Sequence, residues 1–245
     1  MAGSKTRLDT EIMARGLTRS RSQAESFIKL GQVTVNGTVA TKPGFPVGPE
    51  DRIELVAAAA EQYVSRAALK LASVARALGL DFRDKIVLDV GSSTGGFTDY
   101  ALRHGAERVI AVEVGRDQLH PSLRGNPRIE LHEQTDIRSI HTLTSNPDIV
   151  LADLSFISLR EVLPHIAALC GPETRFAIMV KPQFEARQGS YKHKGVIKND
   201  AMRRSILKDF ENWARGQFAI LGKADSAVSG AKGNRERFYL LQKAQ

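Results

Sequence analysis

Leu8, Ile12 and Leu17 recur at helical spacing near the start of the chain, and Ser20 or Ser22 stands where it caps a second helix carrying Ala24, Phe27, Ile28 and Leu30. Gly31 stops that helix. Val33 to Val39 alternates about Asn36-Gly37, a pair that favours a two-residue hairpin turn, and after a loop from Pro43 to Pro49 the run Arg52 to Val56 reads as a closing strand. Two helices and a short sheet are therefore expected over residues 1–58. Ala57 to Ala60 with Glu61 and Gln62 offer neither periodicity nor turn chemistry, which predicts a linker over 59–62. From residue 63 to 245 strands and helices alternate. The pattern predicts strands at 86–90, 108–114, 129–132, 149–152, 175–180, 219–228 and 238–242, and helices at 65–78, 96–103, 159–170 and 201–217. Such alternation predicts a mostly parallel α/β sheet with helices on both faces.

Charge narrows the partners. Lys and Arg outnumber Asp and Glu by 35 to 27 in 245 residues, for a formal net charge of +8, which favours a polyanion. Up to Pro49 seven basic residues, among them Arg7, Arg15, Arg19, Arg21, Lys29 and Lys42, face three acidic ones, and Arg15 and Arg19 at i,i+4 are expected on one helical face. Arg66 adds a further positive charge at the start of the second block. A second concentration lies between Lys181 and Lys208, where eight basic residues, including Arg187, Lys192 and Lys194, stand against two acidic ones. It reads as a surface for nucleic-acid backbone, with Gln183 to Asn199 a loop that orders on binding. Cys170 is the sole cysteine, so an intramolecular disulfide and a zinc cluster are excluded. Every apolar run is broken by charge short of the ~18 residues that a membrane span needs, and the N-terminus lacks an apolar signal core. A cytoplasmic protein, neither exported nor inserted in a membrane, is expected.

The sharpest motif is Val87-Leu-Asp-Val-Gly-Ser-Ser-Thr-Gly-Gly-Phe97, an apolar strand entering a glycine-rich turn and then a helix. Its glycine spacing is not G-x-G-x-x-G, and Asp89 precedes the first glycine, which argues against a dinucleotide and its pyrophosphate. A cofactor with no phosphate to cradle, S-adenosylmethionine, fits instead. Asp89 suits its ammonium, directly or through water, and Gly91, Ser92, Ser93, Thr94, Gly95, Gly96 and Phe97 form the turn beside it. Glu113, at the end of the next strand, is expected to accept from both ribose hydroxyls. Asp136 suits the adenine amino group and Ile137 the adenine ring.

Four charges fall where a transfer site needs them: Lys70, Asp153, Lys181 and Glu236. Asp153 and Lys181 each end an apolar strand, where a charge must be paired or shifted in pKa. The catalytic block resembles the FtsJ-type ribose methyltransferases with their Lys-Asp-Lys-Glu tetrad. The N-terminal block, through Arg7-Leu-Asp, Gly16 to Arg21, Gly31 to Gly37 and Lys42-Pro43, resembles an S-four-like RNA-binding domain. With both, nearly the entire chain resembles the TlyA family, ribosomal RNA 2′-O-methyltransferases also described as haemolysins. The resemblance implies a Rossmann-like class I methyltransferase sheet and a small α+β RNA-binding domain. It implies the tetrad Lys70, Asp153, Lys181 and Glu236, with Asp153 also beside the cofactor, ribosomal RNA or ribosomal subunits as partner, and 2′-O-methylcytidine as product. Ala67-Ala68 departs from a usual glycine pair, Glu113 from a common aspartate, and Asn234-Arg-Glu236 is more basic than the usual approach to the last acid.

Lys181 is the candidate general base, since desolvation and a neighbouring Lys70 favour its neutral form while Asp153 and Glu236 oppose them. The two lysines and two acids sum to zero, and sequence leaves the balance open. No metal is expected, because no phosphate bond is broken. Two other readings stand beside the enzyme: a non-catalytic RNA-binding or ribosome-assembly factor, and a membrane-acting haemolysin.

Overall fold

A computed structural model describes residues 5–18, 21–29, 31–55, 63–186, 195–230 and 233–244. The chain divides into two compact units, Met1–Leu69 and Lys70–Gln245.

In the first unit, strand β1 (Thr6–Arg7) leads into helix Leu8–Ala14, then helix Arg21–Lys29, β2 (Val33–Val35), β3 (Thr38–Val39), β4 (Pro46–Val47) and β5 (Ile53–Leu55). Leu8, Ile12, Ala24, Phe27, Ile28, Val33 and Val47 are among its buried apolar residues. Asn36 and Gly37 both take positive φ (52° and 79°), which lets β2 and β3 pair across two residues, and β5 pairs with the other edge of β2. The chain departs from two expectations. The first helix stops at Ala14, since Gly16 adopts φ 70° and the N–H groups of Gly16 and Leu17 fold back onto the carbonyls of Met13 and Ile12. No helical face therefore runs on from Arg15; Arg19 lies outside the described residues. Nor is 43–49 all loop, because Pro46–Val47 pairs antiparallel with Thr6–Arg7, a ladder too short to show alternation. The expected linker, 59–62, lies outside the described residues.

Helix Arg66–Ala75 spans the division between the units. Beyond it come β6 (Ile86–Val90), helix Gly96–Arg103, β7 (Arg108–Val112), β8 (Ile129–His132), β9 (Ile149–Ala152), helix Leu159–Ala168, β10 (Arg175–Val180), a short helix Pro182–Glu185, helix Asp200–Ala214, β11 (Phe218–Asp225) and β12 (Arg237–Lys243). The seven strands are ordered β11-β12-β10-β9-β6-β7-β8. β6 to β10 are mutually parallel, and β12 runs antiparallel between β10 and β11. In β6, β7, β9 and β10 nearly every residue is buried, so residues of both alternating sets are covered, as in a sheet packed on two faces. Leu88, Val90, Ile110 and Val112 share a core with Leu163 and Ile166 of one helix and Leu207 and Phe210 of another. Strand order reverses between β6 and β9, and open α/β sheets bind ligands outside the carboxyl ends of strands at such a point.

Candidate active site

A cavity of about 430 Å³ opens at that reversal, a size suited to a cofactor. Val90, Gly91 and Ser93 line it from the end of β6, Val112, Glu113 and Val114 from β7, Asp136 and Ile137 from the turn after β8, and Asp153 to Ile157 from the turn after β9. Gly91 has φ 80°, and a Cβ there would stand 3.0 Å from the Asp153 carbonyl oxygen, so the first turn approaches the second only because it carries no side chain. Both Glu113 oxygens are engaged: Oε2 accepts the Ser93 N–H at 2.9 Å and Oε1 the Gly115 N–H at 2.7 Å. Asp136 caps the turn at Arg138, and the Arg138 guanidinium on its two oxygens holds its carboxyl below the usual range. Ile137 is buried beneath it.

Gly91, Ser93, Glu113, Asp136, Ile137 and Asp153 thus meet in one cavity. Asp89, Ser92, Thr94, Gly95, Gly96 and Phe97 do not line it. Asp89 is fully buried with Thr98 Oγ1 donating to it at 2.7 Å. Burial pushes its carboxyl up to about 7 against that hydrogen bond, helped by the negative charges of Asp153 and Glu113. Phe97 packs on Phe238, with ring centroids 5.9 Å apart, and Gly95 lies under Leu119 and Leu123.

A second cavity, of about 360 Å³, shares Ser155 and Phe156 with the first and is lined further by Lys70, Lys181, Gln183, Phe184, Gly230, Asn234 and Glu236. The four charges resolve into two ion pairs. Lys181 Nζ stands 2.5 Å from Asp153 Oδ1, and Lys70 Nζ 2.6 Å from Glu236 Oε2. Lys181 and Glu236 are buried, so each pair satisfies charges that would be costly alone. Ser73 fixes the helix of Lys70, its hydroxyl donating to the Lys70 carbonyl at 2.6 Å and accepting the Ala227 N–H at 3.2 Å. Asn234 is buried and its amide bonds the Gly195 carbonyl and the Ile197 N–H, which holds the approach to Glu236, while Arg235 is exposed. Glu185 accepts from the Ser158 hydroxyl and the Leu159 N–H, each at 2.7 Å, tying the turn after β10 to the turn after β9.

The FtsJ-like methyltransferase model matches residues 63–243, and the S4 domain model residues 6–53. The chain is 36% identical over 241 residues to the 16S/23S rRNA (cytidine-2'-O)-methyltransferase TlyA of Mycobacterium tuberculosis, covering 97% of this chain and 90% of that protein. The chain belongs to the TlyA family of FtsJ-like methyltransferases. It is also 36% identical over 234 residues to Hemolysin A of Brachyspira hyodysenteriae, covering 94% of this chain and 97% of that one. A solved structure described as a hemolysin, from Streptococcus thermophilus, superposes with a TM-score of 0.71 at 33% identity, over 100% of this chain and 90% of that chain.

In the S4 domain the basic residues divide. Arg7 and Arg21 both bond the buried Asp9, at 3.0 and 2.8 Å, and Arg15 bonds Glu11 and the carbonyls of Gly48, Pro49 and Asp51. Those arginines brace the domain. Lys42 is exposed, and Lys29 is exposed with Glu25 4.0 Å away. Arg66 begins its helix, and Arg187, Lys192 and Lys194 lie outside the described residues. In the FtsJ-like domain, sequence reasoning missed Ser155 and Phe156. Phe156 is 92% exposed at φ 67°, a conformation that bulky residues rarely adopt, and its ring lies 5.3 Å from that of Phe184. Loop residues carry no periodicity, and the one available signal was an aromatic directly after a strand-ending acid. Among the described residues no group of three or more His, Cys, Asp or Glu is placed to hold a metal ion, and no helix is long and apolar enough to cross a membrane.

Proposed function

We propose that the protein transfers a methyl group from S-adenosylmethionine to the 2′-hydroxyl of a cytidine ribose in ribosomal RNA. What carries this reading is the junction of the two cavities. Asp153 lines the larger one, its partner Lys181 lines the smaller one, and Ser155 and Phe156 belong to both. The larger cavity fits the donor, with Glu113 toward the ribose and Ile137, Val114 and Ile157 around the adenine. The donor supplies a methyl group already activated on a sulfonium. A ribose hydroxyl is a poor nucleophile, so the chain's work is positioning and proton removal. Lys181 Nζ would accept the hydroxyl proton and hold it beside Asp153, while the donor, held by Glu113 and Ile137, would supply the methyl group. Lys70, held by Glu236, offers positive charge to the oxygen or an adjacent phosphate. The exposed ring of Phe156, with the half-buried Phe184 beside it, suits a nucleobase, since aromatic rings stack any base.

The S4-containing segment, taken as residues 1–58 with a linker at 59–62, anchors the RNA by its backbone, and the substrate is ribosomal RNA or a ribosomal subunit in the cytoplasm. Its contacts position without reading sequence. Replacing Lys29 and Lys42 together by Gln is expected to flatten the slope of log affinity against log salt by about 1.5, at ~0.7–0.9 per lost phosphate contact. Filter binding from 50 to 300 mM salt reads it, and an unchanged slope removes these lysines from the interface.

Labelled donor incubated with ribosomal RNA, followed by digestion to nucleosides, tests the main reading. Label on the cytidine ribose is expected. Label on a base, tight RNA binding without transfer, or lysis of protein-free vesicles would each replace it.

A further inference from the structure

The turn after β9 is held at both ends. The Asp153 N–H bonds the Val90 carbonyl at 3.1 Å, and Ser158 and Leu159 are tied to Glu185. At its centre Ser155 accepts a hydrogen bond from Lys181 Nζ at 2.8 Å. This contact has a stereochemical consequence. A lysine nitrogen has four tetrahedral directions, of which Cε takes one. Asp153 Oδ1, its ion-pair partner 2.5 Å away, draws a second by charge, and Ser155 Oγ accepts a hydrogen bond along a third. The fourth direction, a proton in the ammonium and a lone pair in the neutral amine, is fixed by the other three. With only Asp153 as partner, the second N–H and the lone pair would exchange between the two remaining directions, and the Ser155 acceptor decides which of them the lone pair takes.

We infer that Ser155 is a positioning residue for the methyl transfer, the second acceptor that aims the Lys181 lone pair at the substrate hydroxyl. The inference rests on Lys181 serving as base in the reading above. Among the described residues no other side chain in contact with Nζ fills that role: the Phe184 ring, 5.9 Å from it at its centroid, accepts no directed bond, and Lys70 is engaged with Glu236. The Ser155 hydroxyl sits where the two cavities meet, so it fixes the base beside the line along which the methyl travels. Misalignment of a proton acceptor costs rate and spares affinity, because neither substrate is held by that bond.

Ser155→Ala and Ser155→Thr are to be compared with the full-length protein by steady-state rates on ribosomal RNA, by calorimetric binding of S-adenosylhomocysteine, and by RNA filter binding. Ser155 is exposed, so the added methyl of threonine has room. For Ser155→Ala the expected result is a kcat at least fivefold lower, with the KM for RNA and the Kd for S-adenosylhomocysteine within twofold of the parent. Ser155→Thr is expected to recover at least half of the parent kcat. A smaller loss in Ser155→Ala, a loss carried by KM or Kd, or a threonine variant as slow as the alanine one overturns the inference. If the unaltered protein places label on a base, the reading beneath it fails instead, and the two failures are told apart.

Discussion

Lys181→Ala is expected to lower kcat about a thousandfold while leaving donor affinity within threefold of the parent, in line with the 10²–10⁴ that a positioned base contributes. The electrostatics decide the second half of that statement. Lys181 stands 2.5 Å from Asp153, and Asp153 lines the donor cavity. Removing the lysine head leaves the carboxylate without its 2.5 Å partner and facing a cationic donor, so the donor loses no attraction. Loss of activity therefore cannot come from loss of the donor. Lys181→Met serves as the companion variant, keeping an apolar stem beside Phe184 and lacking only the nitrogen. Both variants are expected to be equally slow in single-turnover transfer with saturating donor and RNA. A rate above a tenth of the parent in either one would remove Lys181 from the role of base and leave Lys70 and Glu236 to account for the chemistry.

The strands that carry this site were legible because they are buried on both faces. Ile86–Val90, Ile149–Ala152 and Arg175–Val180 occupy the ranges that their apolar runs predict, and an acid or a lysine after such a run marks a strand end. Glu113, Asp153 and Lys181 follow from that rule. The departure at Glu113 also has a physical account, since the longer side chain reaches back to the N–H groups of Ser93 and Gly115. Pairing was not legible. Two lysines and two acids sum to zero however they combine, and only the fold shows Lys70 joined to Glu236 and Lys181 to Asp153. Leu17 misled for a different reason. It keeps apolar spacing, yet it is the residue after a left-handed glycine, where an apolar side chain commonly closes a helix end rather than extending it. Nor was the pairing of Arg7 and Arg21 legible: both bond the one buried acid, Asp9, while their side chains stay more than half exposed, and charge counting does not reveal that.

Asp89→Asn is expected to stabilise the protein at pH 8 relative to its effect at pH 5. Asp89 is fully buried, and its carboxyl rises from 3.8 to about 7 because burial outweighs the Thr98 hydrogen bond and because Asp153 and Glu113 are negative. Between those two values the folded chain holds a proton that the unfolded chain has lost. Stability present below about pH 4 is therefore lost as pH rises through 7, on the order of 4 kcal/mol at 1.36 kcal/mol per unit. About 3 kcal/mol of this falls between pH 5 and pH 8. Asparagine stays neutral throughout and its carbonyl still accepts from Thr98, so the variant escapes that loss. Any fixed cost of its new amide N–H groups is the same at both pH values and drops out of the comparison. At ~2–4 °C per kcal/mol the difference in melting temperature, variant minus parent, should be on the order of 5–10 °C larger at pH 8 than at pH 5. The same substitution is expected to weaken donor binding about tenfold at pH 8, because a cationic donor loses a carboxylate behind the first turn. A melting difference that does not change with pH would mean that Asp89 ionises as it does in water, and a donor affinity unchanged at pH 8 would remove it from the cofactor site.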